Sequence, residues 1–217
     1  MVFILDWLFP RAGRPQRDGP IAPPEKHVVL GTSPAQPEGG WKPPLEQAIF
    51  GLGCFWGAER KFWTAPGVHT TSVGYAGGMV PNPRYRPVCS GRTGHAEVVN
   101  VVFDQSKTSF EDMLDIFWDA HDPTTKNRQG NDVGSQYRSA IFYYNDAQRK
   151  LAEQTRDHFN DLLKEAGRNA CTTEIKPAGK YYFAEEYHQQ YLHKNPTGYC
   201  GLGGTGLYRP LKKAASE

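Results

Sequence analysis

The order in which strand-like and helix-like segments follow each other predicts an α/β protein of the α+β type. Alternating or valine-rich segments and amphipathic segments come in the order β-α-β-β-α-β, with glycine or proline between them. This order matches a split β-α-β unit, as in a two-layer, ferredoxin-like core. A chain of 217 residues is long enough for such a core, additional helices and a long irregular C-terminal tail.

Two strands around one short helix are predicted for the first half of the core. Residues 46–52 form the first strand, and residues 55–65 form an amphipathic helix that a Pro-Gly pair ends. Residues 68–75 alternate as a second strand. Residues 79–95 are rich in glycine and proline, which predicts a long loop before the next strand.

A valine-rich strand and a helix with a clear N-terminal signal are predicted for the second half. Residues 96–103 are the valine-rich strand. Ser109, with Asp112 three residues later, is expected to cap the next helix, whose apolar residues share one face. The elements predicted after a loop at 122–136 are a strand at 138–144, a helix at 146–166, a strand at 172–177 and a short helix at 184–193.

The placement of proline divides the chain into an extension and a domain. Nine of the 17 prolines fall within residues 1–44, and proline removes a backbone donor and restricts the residue before it. We therefore expect an extended arm at 1–44, partly mobile or laid over the domain, and a globular domain at 45–217. A glycine-rich tail is expected from about residue 195. The first apolar stretch lacks the pattern of a secretory signal, which favours a cytoplasmic location.

Charge, hydropathy and cysteine spacing argue against several classes of function. A net charge of +2 and a pI of about 8.3 give no basic footprint for nucleic acid. No apolar run approaches the roughly 18 residues of a membrane-spanning helix. The four cysteines are too few for a disulfide scaffold and too far apart for a zinc site. We expect a monomer without a metal or an organic cofactor.

Local sequence singles out Cys54 as a residue that could carry chemistry. It follows a predicted strand and begins a predicted helix within Gly-Leu-Gly-Cys-Phe-Trp-Gly. A helix N-terminus offers unpaired N–H groups and partial positive charge, which stabilise a thiolate and lower the thiol pKa. This position favours a nucleophile over the other common role of a free cysteine, that of a small buried apolar residue.

Several motifs in order give the chain a resemblance to a known family over residues 46–206. The motifs are G-C-F-W-G-A-E from Gly53, G-Y-A-G-G from Gly74, P-N-P-R-Y from Pro81, C-S-G-R-T-G-H-A-E-V-V from Cys89, H-D-P-T from His121, Q-G-N-D-V-G-S-Q-Y-R-S from Gln129, E-E-Y-H-Q-Q-Y-L from Glu185 and N-P-T-G-Y-C-G-L-G-G-T-G from Asn195. Together they resemble the A-type peptide methionine sulfoxide reductases. The resemblance implies thiol-dependent reduction of L-methionine (S)-sulfoxide, free and in proteins, and hence repair of oxidised proteins.

The resemblance also implies roles for individual residues. Cys54 corresponds to the cysteine that attacks the sulfoxide sulfur, and Glu97 to the acid that protonates the leaving oxygen. Partial burial would raise the pKa of Glu97 and keep it protonated near neutrality. The residues implied to bind substrate are Phe55 and Trp56 at the methyl group, Tyr85 and Tyr137 at the oxygen, and Asp132 in the hydrogen-bond network. A pocket that fixes these directions together accepts one epimer, and the family implies the S epimer.

Recycling is implied to need a second thiol at Cys200. The sulfenic acid left on Cys54 condenses with another thiol to give a disulfide, and Cys200 lies in a glycine-rich stretch that we expect to be mobile. No cysteine follows Cys200, so the Cys54–Cys200 disulfide is expected to face thioredoxin directly. Cys89 and Cys171 are interpreted as structural.

Two other functions stay open on local sequence alone. Aromatic residues follow Cys54, and His188 and His193 lie at the ~130–150-residue spacing of papain-like cysteine hydrolases, although that family's second cysteine is Gly51 here. A peptide-binding module with an apolar groove is the non-enzymatic alternative. Amide cleavage without reductant would identify the hydrolase, and full peptide binding by Cys54→Ala would identify the binding module.

Overall fold

The computed structural model describes residues 19–211, and a six-stranded sheet with helices packed against it forms their centre. The strands are β1 (Leu45–Leu52), β2 (Val68–Ala76), β3 (Ala96–Asp104), β4 (Arg128–Gln129), β5 (Asp132–Val133), β6 (Ser139–Tyr143), β7 (Glu174–Pro177) and β8 (Tyr182–Phe183). The helices are α1 (Phe55–Trp63), α2 (Tyr85–Cys89), α3 (Phe110–Ala120), α4 (Asp146–Glu165) and α5 (Tyr191–Lys194). Single 3-10 turns occur at Ser135–Tyr137 and Glu186–His188.

The central strands are arranged as the sequence predicts. β1 lies between β6 and β3, β3 lies between β1 and β2, and all three pairs are antiparallel. With α1 and α3 as connections, this is the split β-α-β arrangement, so the predicted fold class is confirmed. β7 extends the sheet in parallel beside β6, and β8 pairs with the outer edge of β2. β4 and β5 form a separate hairpin.

The period-two alternation of the strands gives the sheet two apolar faces. On β3, Val99, Val101 and Phe103 belong to the cluster that includes residues of α1, α3 and α4. Val98 belongs to a second cluster on the opposite face. Because Glu97 is two residues before Val99, its side chain lies on the helix-covered face, at the end of the sheet where β1 ends.

The start of α3 has the N-terminal cap that the sequence predicts. Ser109 Oγ accepts the backbone N–H of Asp112 at 3.1 Å, and the Asp112 carboxylate accepts the N–H of Ser109 at 2.8 Å. Such a reciprocal cap stabilises a helix end by about 1 kcal/mol. The predicted apolar face of the helix is buried throughout, at Phe110, Met113, Leu114, Phe117 and Trp118.

Four segments differ from the sequence prediction. The loop predicted at 79–95 contains α2, and the loop predicted at 122–136 contains the β4–β5 hairpin. The single helix predicted at 184–193 is instead a 3-10 turn and the short α5, because Gln190 between them takes a left-handed conformation with φ +46°. The sequence does not predict β8, since a two-residue edge strand is too short to show alternation.

The described part of the proline-rich extension lies against the domain. His27 is fully buried, and its Nε2 lies 2.9 Å from the hydroxyl of Thr71 on β2. Residues 19–44 contain neither helix nor strand, as expected for a stretch rich in proline. The expectations for residues 1–18 and 212–217 fall outside the described residues.

Candidate active site

Cys54 occupies the sharp turn between β1 and α1, as the sequence predicts. Gly53 takes a φ of +102°, and a β-carbon there would lie 2.6 Å from the side chain of Gln129, so the turn requires glycine. Cys54 is the residue that caps α1, and only 6% of it is exposed. Its thiol therefore sits at the N-terminal end of the helix and inside the protein.

Burial holds the thiol of Cys54 protonated in this structure. Desolvation raises its pKa well above the usual range, and negative charge on Glu97 and Asp132 raises it further. The N–H groups of Trp56 and Gly57 at the start of α1 act in the opposite direction. The predicted lowering of the thiol pKa is therefore wrong, because desolvation outweighs the helix end.

Glu97 lies beside this helix end and is almost fully buried, with 1% exposed. Its Oε2 accepts the backbone N–H of Phe55, the residue next to Cys54, at 3.1 Å. Burial raises the pKa of Glu97 to about 8; the bond from Phe55 opposes this rise and the charge of Asp132 adds to it. Glu97 is therefore a protonated acid at neutral pH, and in that form it places no negative charge beside the thiol.

Tyr85 and Tyr137 approach this acid from two different elements. Tyr85 begins α2, and Tyr137 ends the 3-10 turn that follows Gly134. Desolvation raises the pKa of both phenols above the usual range, and negative charge on Glu97 contributes to both shifts. Both hydroxyl groups are therefore protonated donors, close enough to Glu97 to feel its charge.

Asp132 lies at the first position of β5, directly after the two-residue turn of the β4–β5 hairpin. Burial raises the pKa of its carboxyl group, and a hydrogen bond from Tyr199 opposes the rise. Among the residues that the structure describes, its buried Oδ2 has no hydrogen-bond partner. Asp132 therefore follows the turn instead of forming it, and its carboxyl group is close enough to Cys54 for its charge to raise the thiol pKa.

Phe55 and Trp56 form an aromatic wall around His188, a buried histidine that the sequence suggested only as the base of a cysteine hydrolase. The Nε1 atom of Trp56 donates to Nδ1 of His188 at 3.0 Å. The indole ring of Trp56 stacks on the ring of Tyr191, with centroids 3.8 Å apart. The His188 ring is also 5.0 Å from Phe55 and 4.4 Å from Tyr85. Since Nδ1 already accepts from Trp56, His188 is not placed as the base of a cysteine hydrolase.

Glu185 joins the same wall to the sheet. It accepts the hydroxyl of Tyr75 at 2.9 Å and the backbone N–H of Tyr85 at 3.0 Å. Burial lowers the pKa of His188 to about 4 against the opposing charge of Glu185, so the imidazole is neutral and can accept at Nδ1. The E-E-Y-H-Q-Q-Y-L motif is the sequence signal that could have identified Glu185 and His188.

Cys200 lies on the surface directly over the first turn of α1. A β-carbon built at Gly57 would lie 2.7 Å from Cys200 Sγ, which places this thiol against the helix that Cys54 caps. Cys200 is exposed and, like the other three cysteines, is a free thiol. The structure thus brings the two predicted redox thiols to the same end of one helix.

The segment around Cys200 is fixed at several points, although it has no regular structure. Gln129 Nε2 donates to the carbonyl groups of Gly201 at 3.4 Å and Gly203 at 3.2 Å. A β-carbon at Gly204 would lie 1.9 Å from the carbonyl oxygen of Asp119. At least part of this glycine content therefore serves close backbone approach, beside the freedom of movement that the sequence suggests.

The other two cysteines occupy different surroundings. Cys89 ends α2, where a hydrogen bond from the hydroxyl of Tyr85 partly opposes the rise in thiol pKa that burial causes. Cys171 lies before β7, and its N–H donates to Asn160 Oδ1 at 2.8 Å. The side chain of Cys171 packs against the helix-covered apolar cluster.

Two searches of the described residues bear on other classes of function. Between residues 19 and 211, no group of three or more His, Cys, Asp or Glu side chains is arranged to hold a metal ion. Within the same range, no helix combines the length and the apolar character that crossing a membrane requires.

Comparison with known proteins places the chain among relatives along most of its length. The family described as peptide methionine sulfoxide reductase matches residues 46–214. The chain is 55% identical over 199 residues to the peptide methionine sulfoxide reductase MsrA of Rhodospirillum centenum, covering 91% of this chain and 89% of that protein. It is 57% identical over 196 residues to MsrA of Salinispora arenicola, covering 88% of each.

A solved structure shows the same similarity in three dimensions. Methionine sulfoxide reductase A of Corynebacterium diphtheriae superposes with a TM-score of 0.79 at 45% identity, covering 89% of this chain and 92% of that one. The reduced form of Mxr1 from Saccharomyces cerevisiae superposes with a TM-score of 0.68 at 36% identity, covering 74% and 92%.

Proposed function

The chain belongs to the peptide methionine sulfoxide reductase family, and from this premise we propose which of its residues carry out each step. Its activity is the thiol-dependent reduction of methionine sulfoxide, so it is an oxidoreductase. We propose that the substrate is the S epimer of L-methionine sulfoxide, both free and in oxidised proteins, which the enzyme repairs. One observation carries the assignment of the site: Cys54 and the acid Glu97 share the N-terminal end of α1, with Phe55 N–H donating to Glu97.

In the first step, Cys54 Sγ attacks the sulfur of the sulfoxide. The S–O bond breaks, the oxygen passes to Cys54 as a sulfenic acid, and the sulfoxide becomes a thioether by gaining two electrons. The N–H groups at the start of α1 stabilise the negative charge that develops on the thiol as its proton leaves.

Glu97 supplies the proton that the sulfoxide oxygen needs in this step. Because burial raises its pKa to about 8, it is protonated at neutral pH and can act as a general acid. The proton that leaves the Cys54 thiol restores Glu97, so thiol and sulfoxide give sulfenic acid and thioether without a net change in protons. The buried acid thus acts as a proton relay between the attacking and the leaving atom.

The phenols of Tyr85 and Tyr137 are proposed to donate hydrogen bonds to the sulfoxide oxygen. Burial keeps both protonated, and donors fixed in a partly desolvated site stabilise developing negative charge effectively. Asp132, whose buried Oδ2 lacks a partner within the described residues, is proposed to complete the polar side of the pocket.

The aromatic wall made by Phe55 and Trp56 is proposed to hold the methyl group of the substrate. A methyl next to a polarised sulfur packs well on aromatic faces, and sulfur–aromatic contacts contribute about 0.3–1.5 kcal/mol. With the methyl group against this wall and the oxygen towards Tyr85 and Glu97, the third substituent of the sulfur must leave in one direction. Only one hand of the chiral sulfur meets all three conditions.

Cys200 is proposed to resolve the sulfenic acid. Its thiolate attacks the Cys54 sulfur, water leaves, and a Cys54–Cys200 disulfide forms. The position of Cys200 Sγ over the first turn of α1 supports this pairing, and its exposure leaves one sulfur open to an external dithiol. We propose thioredoxin as this reductant, which takes up the disulfide by thiolate exchange and returns both cysteines to thiols.

No metal and no organic cofactor takes part in this scheme, since two thiols and one acid supply every electron and proton. We further propose that the enzyme works as a monomer in the cytoplasm. Size-exclusion chromatography and cell fractionation test these two points.

Reduction of each purified epimer of methionine sulfoxide with dithiothreitol tests the assignment. The wild type should reduce the S epimer and leave the R epimer, and Cys54→Ser should reduce neither. Equal rates on both epimers would contradict the proposed pocket geometry. Activity in Cys54→Ser would contradict the assignment of Cys54 as the nucleophile.

A further inference from the structure

A second buried carboxylate, Glu59, lies on α1 outside the site described above. It is fully buried, and its two oxygens accept three hydrogen bonds. Gln190 donates to it twice, from its backbone N–H and from its side-chain amide, each at 2.7 Å. The hydroxyl of Thr71 on β2 donates the third bond at 3.0 Å. A buried carboxylate with this many donors is a fixed point of attachment for the chain around Gln190.

The backbone of Gln190 is held in a conformation that a residue with a side chain seldom adopts. Its φ and ψ are +46° and +42°, in the left-handed region, and only 1% of it is exposed. That conformation is less stable than the ordinary one and persists only where surrounding contacts maintain it. Both N–H donors of Gln190, on its backbone and on its side chain, bond to Glu59, so Glu59 supplies contacts that hold this conformation.

The residues on either side of Gln190 are the ones that hold Trp56. His188, two residues before, accepts the indole N–H of Trp56 at 3.0 Å. Tyr191, one residue after, stacks on the indole at 3.8 Å. The left-handed turn at Gln190 therefore sets the angle between the two side chains that fix the aromatic wall.

We infer that Glu59 is a positioning residue for substrate binding, acting through the left-handed Gln190 on the Trp56 wall. The inference rests on the proposed function, because it takes Trp56 as the surface that holds the substrate methyl group. Glu59 itself touches neither the reacting atoms nor the substrate. Its loss would move the wall and leave Cys54 and Glu97 in place, because those residues are held by β1, β3 and the first turn of α1.

The N-terminal arm closes the same network. Nδ1 of His27 accepts the N–H groups of Val29 and Leu30, so Nε2 carries the proton and donates to Thr71 at 2.9 Å. Thr71 then donates to Glu59. The N–H of Val28 donates to the side-chain carbonyl of Gln190 at 3.3 Å. The arm thus contacts both ends of the network, which gives residues 27–30 an indirect part in substrate binding.

Glu59→Gln tests the inference through the split between KM and kcat. The amide keeps the shape of the side chain, but its NH₂ group would face a donor where the carboxylate accepted one. We expect KM for the S epimer to rise roughly tenfold to a hundredfold, because a misplaced binding wall has effects of this order. The single-turnover rate at saturation should stay within about threefold of wild type.

A double-mutant cycle with Trp56→Phe separates an effect on the wall from an effect elsewhere. Trp56→Phe alone should raise KM, since phenylalanine cannot donate to His188. If Glu59 acts through the wall, adding Glu59→Gln to Trp56→Phe should raise KM less than about twofold further. If the KM of the double variant rises by the product of the two single-variant factors, the inference is overturned, because Glu59 would then act independently of Trp56.

A matched pair at Gln190 tests the backbone argument even if Glu59→Gln fails to fold. Gln190→Gly and Gln190→Ala both remove the amide, but only alanine retains the strain of a left-handed backbone. The KM of the alanine variant should exceed that of the glycine variant by roughly fivefold. Equal KM values would overturn the backbone part of the inference.

Leu163→Ala serves as the control for general loosening. Leu163 is fully buried on α4, so its truncation lowers stability without touching the network. Its KM should match wild type, and a rise equal to that of Glu59→Gln would overturn the inference. If Trp56→Phe leaves KM unchanged, the proposed role of Trp56 fails and the inference fails with it. If only Glu59→Gln leaves KM unchanged, the proposed function stands and this inference alone is overturned.

Discussion

The two thiols of the proposed reaction lie in opposite surroundings at the same end of α1. Cys54 is buried between β1 and α1, so regular elements fix it on both sides. Cys200 is exposed on irregular chain after α5. The first thiol must be held against a substrate within tenths of an ångström. The second must meet Cys54 and then an external reductant. The contrast teaches that the chemical step and the recycling step place different demands on the backbone.

The largest expected effect comes from removing the exposed thiol. Cys200→Ser should make about one methionine per enzyme with thioredoxin and then stop, because the sulfenic acid on Cys54 cannot become a disulfide. Dithiothreitol is small enough to reach Cys54 and should partly restore turnover. Methionine release over time with each reductant measures this.

Cys171→Ser is the control for that experiment and should cycle normally on thioredoxin, as should Cys89→Ser. Mass spectrometry after one turnover without reductant should find Cys54 joined to Cys200. If Cys54 is joined to Cys89 or Cys171, and Cys200→Ser still cycles on thioredoxin, the assignment of the second thiol is wrong.

The next largest effect is expected from changing Glu97, the acid beside the buried thiol of Cys54. Glu97→Gln keeps the shape of the side chain but cannot give a proton, and general acid catalysis is typically worth 10²–10⁴-fold. The loss should appear in kcat and in the single-turnover rate, with little change in KM. A variant within threefold of wild type in single turnover would exclude Glu97 as the proton donor.

The pH dependence of the first step follows from the same residue. Burial raises the pKa of Glu97 to about 8, so the acid form is present below that pH and is lost as pH rises through it. The single-turnover rate should therefore fall above about pH 8. The descending limb should be absent from Glu97→Gln, and its persistence in that variant would assign it to another group.

A smaller effect on disulfide formation is expected from the close packing of Cys200 on Gly57, in the first turn of α1. A methyl group at Gly57 would lie 2.7 Å from Cys200 Sγ, so Gly57→Ala should displace the tail and slow disulfide formation several-fold. Sulfenic acid formation should be unchanged, and helix stability should not fall, since alanine favours helix by about 1 kcal/mol over glycine.

Gly203→Ala is the matched control in the tail, because a β-carbon there meets no atom within 4 Å. It should form the disulfide at the wild-type rate. Equal rates for Gly57→Ala and wild type would show that the close packing of Cys200 on Gly57 is not needed for disulfide formation.

Much of the core could be predicted because its signals are local. The alternation in β3, the cap at Ser109 and the apolar face of α3 each depend on residues close together in the chain. The turn that carries Cys54 could be predicted for the same reason. The left-handed Gln190 could not, because it depends on Glu59, which is 131 residues away.

The electrostatics of the site could be predicted only in part. The rise in the pKa of Glu97 follows from its apolar neighbours on β3, which the sequence shows. The pKa of Cys54 is raised where a lowering was predicted, because a helix N-terminus is visible in the sequence and the depth of burial is not. Glu185 was missed as a site residue, and His188 was considered only as the base of a hydrolase, because their roles depend on contacts with Trp56 and Tyr85 that only the folded chain makes.

The protonated state of the Cys54 thiol has a consequence for the life of the enzyme under oxidants. Peroxides oxidise the thiolate and react far more slowly with the thiol. A buried thiol whose pKa lies above the usual range is therefore spared by the same oxidants that damage methionine elsewhere. We expect Cys54 to become reactive only when a bound sulfoxide accepts the proton of Glu97. The thiol of Cys54 is thereby kept in its less reactive form until oxidised methionine is bound.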